Sequence, residues 1–323
     1  EYGQVGSYVT AVKMVLPNAD LLQVDESTQP ELMQKIRCSY GLFGVIYEVT
    51  YKIRPMLPMA VHHKTFALAD FISALPDLKA MNESMFFYIF PFDGKITIEF
   101  RRYNPGATGE PNRAAWALRN HIWGTSGPKF GSEIEKTVSI PKVRYGIIDA
   151  FNAAWRLQLE TIVSSDNTIP SDQIIDYPPV AGDSRYTFSL FAFLEADYPQ
   201  AITDFFKFCN DYYVRTGYRS NLLYVGYRIE QDQRSLLSYS WDGTVMTIDP
   251  VSTANPGWDT FLGVYNQFCS DRNGVPLLNQ THGLTAAMVQ KAYGDRLTTM
   301  AETRRQYDPQ NRLYNDYFRS LLF

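Results

Sequence analysis

Ser39-Tyr40-Gly41-Leu42-Phe43-Gly44-Val45-Ile46-Tyr47-Glu48-Val49-Thr50-Tyr51-Lys52-Ile53-Arg54-Pro55 decides how this chain is read. Two glycines three residues apart sit in an apolar loop. A β-branched, alternating strand follows at once, and Pro55 closes it. Glycine has no Cβ, so both positions let a ligand lie against bare backbone. Read in isolation, the same window is equally a glycine-containing hairpin in a β-rich core.

The flanks extend the pattern. Upstream, Gly3-Gln4-Val5-Gly6-Ser7-Tyr8 leads into the apolar strand Val9 to Leu16, then a polar turn at Asn18-Ala19-Asp20 and a second strand, Leu21 to Val24. Pro30-Glu31-Leu32 opens a short helix that runs to Arg37 and delivers the chain to Ser39. This order of glycine turn, strand, polar turn, strand, helix and "SYGLFGVIYEVT" resembles the FAD-binding domain of the vanillyl-alcohol oxidase family, the PCMH-type flavoproteins. At the other end, Tyr307-Asp308-Pro309-Gln310-Asn311-Arg312-Leu313-Tyr314-Asn315-Asp316-Tyr317 resembles the closing segment of that family's aldonolactone and alditol oxidase branch. The resemblance implies FAD as cofactor. It also implies that a first half of the flavin domain, on the same or a separate chain, precedes residue 1 and carries the pyrophosphate loop. No GxGxxG or GxxxxGK[ST] stands in these residues.

The middle of the chain reads as a repeated unit. Val61 to Phe66 is a strand, Asp70 to Met81 an amphipathic helix, and Ser84 to Phe90 and Lys95 to Tyr103 are strands joined at Asp93-Gly94. The second copy has a strand over Tyr186 to Leu194 and a helix over Tyr198 to Val214. Strands then follow over Leu222 to Ile229, Ser235 to Ser240 and Thr244 to Ile248, with a turn at Asp242-Gly243. Between the copies, Trp116 to Trp123 and Gly146 to Glu160 read as helices, and Asp166 to Ala181 as an irregular Pro-rich stretch. The expected fold is therefore α+β: the second half of a PCMH-type FAD-binding domain (1–56), a large antiparallel-sheet substrate or cap domain with helices on one face (57–275), and a return segment (276–323).

Composition narrows the function classes. The net charge of −4 is well mixed, so no nucleic-acid footprint exists. No apolar run reaches membrane-spanning length. Cys38, Cys209 and Cys269 are odd in number and far apart, with no CxxC or Cys/His cluster, which reads as free thiols, no metal and a reducing compartment. The 22 Tyr and 20 Phe suit large core side chains or an aromatic-lined pocket.

Flavin-dependent oxidation needs a held isoalloxazine, a donor for developing negative charge and a polar group that seats the substrate's hydroxyl or amine. By resemblance, Gly44, Val45 and Ile46 supply backbone contacts to FAD, Ser7 and Val9 run along the cofactor, and Asn315 belongs to the segment returning to it. Arg228 sits in an apolar strand, where an arginine is costly unless paired or facing a cavity. It matches the arginine of the alditol oxidases' "Glu-Ile-Arg-Thr" strand, but Gly226 stands where their glutamate would be. The alternative for Arg228 is an ion pair with Glu230 or Asp232. Asn279 and His282, in Asn279-Gln280-Thr281-His282-Gly283, fall where that branch carries "Pro-His-Trp-Gly-Lys", and histidine titrates near neutrality. The expected catalytic group is thus Arg228, His282 and Asn279, acting on a small-molecule substrate. A flavin-fold scaffold or a cyclase is the rival reading, and an oligomer is left open.

Overall fold

A computed structural model describes residues 3–174 and 185–322. A turn of 3-10 helix, Val5–Tyr8, feeds β1 (Val9–Val15). β2 (Leu21–Asp25), α1 (Pro30–Ile36) and β3 (Val45–Tyr51) follow, and the three strands form an antiparallel sheet in the order β2-β1-β3. Pro30 at the helix start and Gln29 in non-helical backbone mark the boundary read from "PEL".

The large sheet is built from β4 (Met59–Ala67), α2 (Leu68–Ala80), β5 (Ser84–Phe90) and β6 (Lys95–Tyr103). After α3 (Arg113–His121), α4 (Gly127–Thr137), α5 (Pro141–Gln158), β7 (Ser165–Thr168), α6 (Pro170–Gln173) and β8 (Thr187–Phe188), the second unit follows. It comprises β9 (Phe191–Leu194), α7 (Tyr198–Thr216), β10 (Tyr224–Ile229) and β11 (Val245–Ile248). The chain then adds β12 (Val251–Ser252), α8 (Trp258–Asp271), β13 (Val275–Pro276), α9 (Ala286–Tyr293), α10 (Asp295–Tyr307) and α11 (Asp316–Leu322).

The eight strands are ordered β13-β9-β11-β10-β5-β6-β4-β7, and every pairing is antiparallel. Within each unit the third strand lies between the first and second. The two second strands, β5 and β10, meet at the centre. The repeat read from sequence is therefore a pseudo-two-fold.

Alternation sorts the side chains. Phe87, Ile89, Ile96, Ile98, Phe191 and Met246 point to α2, α7 and α8 and form the largest core. Phe86, Tyr88, Val61 and Val225 point the other way, to Trp116, Trp155 and Leu159 of α3, α5 and its π-helical extension. The helix expected over Gly146 to Glu160 begins earlier, at Pro141, and does pack on the sheet.

Two expectations change. Ser235 to Ser240 is not a strand, because Leu236 and Leu237 are both buried in the core of the small lobe and break the alternation a strand needs. Turns hold the stretch instead, with Arg296 Nη1 donating to the carbonyls of Leu236 at 3.1 Å and Ser238 at 2.8 Å. Tyr186 to Leu194 splits, since β8 pairs with β12 and only β9 joins the large sheet. Within the stretch expected to be irregular, 165–168 is strand and 170–173 helix, while residues 175–181 lie outside the described residues.

Candidate active site

The small lobe and the large sheet are joined by hydrogen bonds. Ser7 Oγ donates to Asp232 Oδ2, and Gln4 Nε2 to Ser238 Oγ at 2.5 Å. Arg234 donates to the carbonyl of Ser7 at 3.2 Å. Buried Arg37 donates through Nε to the Val9 carbonyl at 2.9 Å and through Nη1 to the Arg234 carbonyl at 3.0 Å, and pairs with Glu26 at 3.0 Å. Beside this seam lies an open cleft of about 530 Å³, lined by Ser7, Tyr8, Lys52, Arg54, Glu230 and Arg234.

Arg228 is held just above the cleft. Its Nε donates to Glu195 Oε1 at 2.6 Å and its Nη1 to Glu230 Oε1 at 2.7 Å. Glu195 also meets Lys79 at 3.6 Å, and Thr244 Oγ1 donates to Glu230 Oε2 at 3.0 Å. The ion-pair reading of Arg228 therefore holds for Glu230, with Glu195 as second partner. Two carboxylates fix the guanidinium at the end of β10 that borders the cleft.

Gly226 has a clear steric cause. A Cβ there would overlap the carbonyl oxygen of Thr247 and lie 3.2 Å from the Phe87 ring. The β10–β11 ladder is interrupted at this point: Tyr227 N donates to the Thr247 side chain at 3.0 Å, and pairing resumes in the same register between Val225 and Asp249. No glutamate fits at 226.

The remaining expected residues gather at the far end of the small sheet. Val9 pairs with Tyr51 and Val15 with Val45, so Ser7 and Gly44 lie about 20 Å apart along β1. Gly44 itself is wedged against β1: a Cβ would meet Met14 Cε and the Val15 carbonyl, both at 2.7 Å. Its bareness therefore serves strand packing. Val45 and Ile46 are exposed at 59% and 37%, and every residue of β3 is exposed. Asn279 and His282 are exposed in the turn after β13, where the His282 carbonyl accepts from Asn266 at 2.6 Å. Asn315 caps α11, accepting from Phe318 N at 3.0 Å. The Tyr317 hydroxyl of that helix donates to the Leu278 carbonyl, and Phe318 packs on Tyr40 with ring centres 5.3 Å apart. α11 thus brings the glycine loop and the 279–282 turn together. Arg228 and Ser7 stand apart from them, at the cleft.

Three groups were not singled out as functional from the sequence, Asp249 because Asp249-Pro250 reads as a turn at a strand end. The Tyr40 hydroxyl is buried with no partner among the described residues, and burial pushes it well above the ordinary phenol range. Asp249 is fully buried. Its Oδ2 accepts from Thr247 at 3.0 Å and its Oδ1 has no partner among the described residues, so desolvation pushes the carboxyl well above the usual range. On the first unit, Glu99 is also fully buried but accepts from Tyr88 at 2.9 Å, meets His63 Nε2 at 3.0 Å and pairs with Arg101 at 2.5 Å. Desolvation opposes ionisation there. Arg101, His63 and Arg119 outweigh it and hold the carboxyl well below the usual range. The signal for this network was present: His63 and Glu99 are direct cross-strand partners in the β4–β6 hairpin.

Residues 225–321 match the family model described as D-arabinono-1,4-lactone oxidase, a span that contains Arg228, Asn279, His282 and Asn315. Among solved structures, a cholesterol oxidase from Brevibacterium sterolicum superposes with a TM-score of 0.72 at 14% identity, covering 100% of this chain and 70% of that one. The VAO-type flavoprotein MtVAO615 from Myceliophthora thermophila C1 gives a TM-score of 0.59 at 14% identity, covering 94% and 55%. The 6-hydroxy-D-nicotine oxidase from Arthrobacter nicotinovorans gives 0.53 at 15% identity, covering 95% and 65%. No curated protein matches the sequence. The expected PCMH-type α+β fold is the fold found.

Proposed function

We propose that this FAD-linked oxidase, with D-arabinono-1,4-lactone oxidase family sequence over 225–321 on a VAO-type fold, oxidises a C–OH or C–NH carbon of an organic molecule other than a small polyol. FAD, when bound, supplies the acceptor for the hydride. The chain offers surfaces that suit such a group: the bare strand β3 and the cleft rim, with Lys52, Arg54 and Arg234 beside Glu230 and Asp232.

Arg228 is the substrate-orienting group in this reading. Pinned by Glu195 and Glu230, it presents hydrogen-bond donors with little conformational freedom left to lose. Asn279 and His282, which stand apart from Arg228 beside the glycine loop, form a second polar element whose imidazole is the proposed proton acceptor on the cofactor side. Ser7 and Val9 at the seam, and Gly44, Val45, Ile46 and Asn315 at the far end of β3, are the proposed cofactor side.

The observation that carries the exclusion of small polyols is Gly226. A strand that cannot place a carboxylate at that position lacks the acceptor which the alditol-type site would offer to a second hydroxyl. The test is an absorption spectrum of the purified protein with FAD, followed by turnover on a panel of xylitol, an aldonolactone and a bulky cyclic alcohol such as cholesterol. A flavin spectrum bleached by the cyclic alcohol and untouched by xylitol supports the reading. Bleaching by xylitol alone overturns the substrate half of it, and a protein that never takes up FAD overturns it entirely.

A further inference from the structure

The long helix α5 turns a bare apolar stripe outward. Ile140 at its start, Val143, Ile147 and Leu157 along it, and Ile162 in the π-helical turn that follows (Leu159–Val163) are between 36% and 62% exposed. Gly146, Ala150, Ala153 and Ala154 fill the other exposed positions between Val143 and Leu157, and Lys142 is the one charged residue among the exposed positions of α5. A surface helix normally gives its outer face to polar residues, because that face meets water. Here Tyr145, Ile148 and Trp155 already bury the inner face, so the outer apolar stripe is a second one.

No described neighbour accounts for the glycine in that stripe. A Cβ at Gly146 would meet no atom of the described residues within 4 Å. Within the fold it only weakens the helix relative to alanine. Small residues at 146, 150 and 154, about one turn apart, let another backbone approach closely. The stripe also reads alike from both ends. Val143 lies seven residues before Ala150 and Leu157 seven after, while Gly146 and Ala154 lie four before and four after. Lys142 and Glu160 are 18 residues apart, about five turns, and so share one flank. Glu160 Oε1 accepts from Thr65 N at 2.6 Å, which fixes the carboxylate in place.

We propose that the outer face of α5 docks on the same face of a second copy of this chain, antiparallel, about a two-fold axis at Ala150. A two-fold contact must be complementary to itself, and this stripe is. Val143 of each copy packs on Leu157 of the other, and Gly146 on Ala154. Lys142 of each copy meets Glu160 of the other at the same level on the same flank, so charge agrees with the apolar register. The exposed apolar side chains offer on the order of 500 Å² per copy, and the pair buries on the order of 1,000 Å², enough for a specific interface at the small end of the range. The proposal does not depend on the oxidase reading.

The test is disulfide linkage between copies of the full chain, followed on denaturing gels without reductant. The wild-type chain, in which Cys209 and Cys269 are buried and Cys38 is half-buried, sets the background. Ala150→Cys is expected to link at least about tenfold faster than Ala69→Cys, at an exposed position of α2 on the opposite side of the large sheet, because docking holds the two thiols at high effective concentration. Adding Leu157→Lys to Ala150→Cys is expected to return the rate to that of Ala69→Cys. A mixture of Gly146→Cys and Ala154→Cys chains is expected to link faster than either alone. Association through any other surface, β3 included, does not bring two copies of residue 150 together and leaves the Ala150→Cys rate at that of Ala69→Cys. Equal rates for Ala150→Cys and Ala69→Cys overturn the proposal, as does Gly146→Cys alone linking as fast as the mixture. Capture of the chain by phosphatidylcholine vesicles that Leu157→Lys abolishes, with no faster linkage in Ala150→Cys, assigns the stripe to a lipid surface and overturns it too.

Discussion

The two halves of the large sheet have the same architecture and opposite electrostatics. The first unit buries Glu99 with a full set of partners, and the carboxylate stays ionised. The second unit buries Asp249 with one partner, and the carboxyl is driven toward its neutral form. Burial is complete in both, so the difference comes from neighbours alone: Arg101, Arg119 and His63 surround one, a single threonine hydroxyl faces the other. The first unit is stitched as a regular hairpin over nine residue pairs. The second is interrupted at Gly226 and Tyr227, where the β10–β11 ladder breaks and then resumes in the same register at Val225 and Asp249. One copy is a rigid platform, and the other holds the irregular backbone beside Arg228.

The sharpest way to break this comparison is to remove the anion of the first unit. Glu99→Gln leaves buried Arg119 and half-buried Arg101 without their countercharge and is expected to cost about 3–5 kcal/mol in denaturant unfolding. A cost below about 1 kcal/mol would mean that the network is not what holds the platform. Next in size is Gly226→Ala. The new Cβ meets a main-chain carbonyl that cannot swing away, and an overpacking cost of about 2–3 kcal/mol is expected, with turnover lost even where the fold survives. Arg228→Gln is expected to cost about 1.5–3 kcal/mol for its charge-assisted bonds. If Arg228 orients substrate, it is also expected to raise KM more than the stability loss accounts for. The smallest effect belongs to Asp249→Asn, expected to stabilise the protein by on the order of 1 kcal/mol at pH 8.

The pH dependence separates the two carboxyls by sign. Glu99 has its folded value depressed, so its contribution is complete above the ordinary glutamate range and is lost as pH falls through the folded value. Asp249 has its folded value raised. Its neutral form favours the fold below the ordinary aspartate range, and that advantage drains away as pH rises toward the folded value. Stability measured from pH 4 to pH 9 should therefore fall toward the alkaline side in the wild type. In Asp249→Asn that alkaline decline should flatten. An unchanged slope would show that Asp249 is not the group responsible.

The two-fold plan was legible because each unit announces itself locally. The Asp93-Gly94 and Asp242-Gly243 turns and the amphipathic helices α2 and α7 are short-range signals. Which strands meet at the centre is not local, and nothing in β5 or β10 alone says that they pair. The misread strand over 235–240 has a physical cause too: serines and leucines there imitate alternation, but the serines are polar because Gln4 reaches them from the other lobe. At the site, Arg228 was visible as an anomaly in an apolar strand, and Glu230 lies two residues away. Glu195 could not be seen, because 33 residues and a helix separate it from its partner. Gly44 was noticed for the right property, its missing side chain, which the fold uses to let β1 and the loop touch.

The bare strand β3 also governs how this chain behaves at the bench. Both of its faces are exposed, Ile53 just beyond it is 85% exposed, and one of its edges has no neighbour among the described strands. The cross-strand ion pair on it, Lys13 with Glu48 at 2.8 Å, is a weak guard against sticking. A preparation of these residues alone is expected to become turbid or run as mixed sizes as concentration rises. Recovery of a clean, single-sized species then becomes the simplest sign that the strand has found its cover.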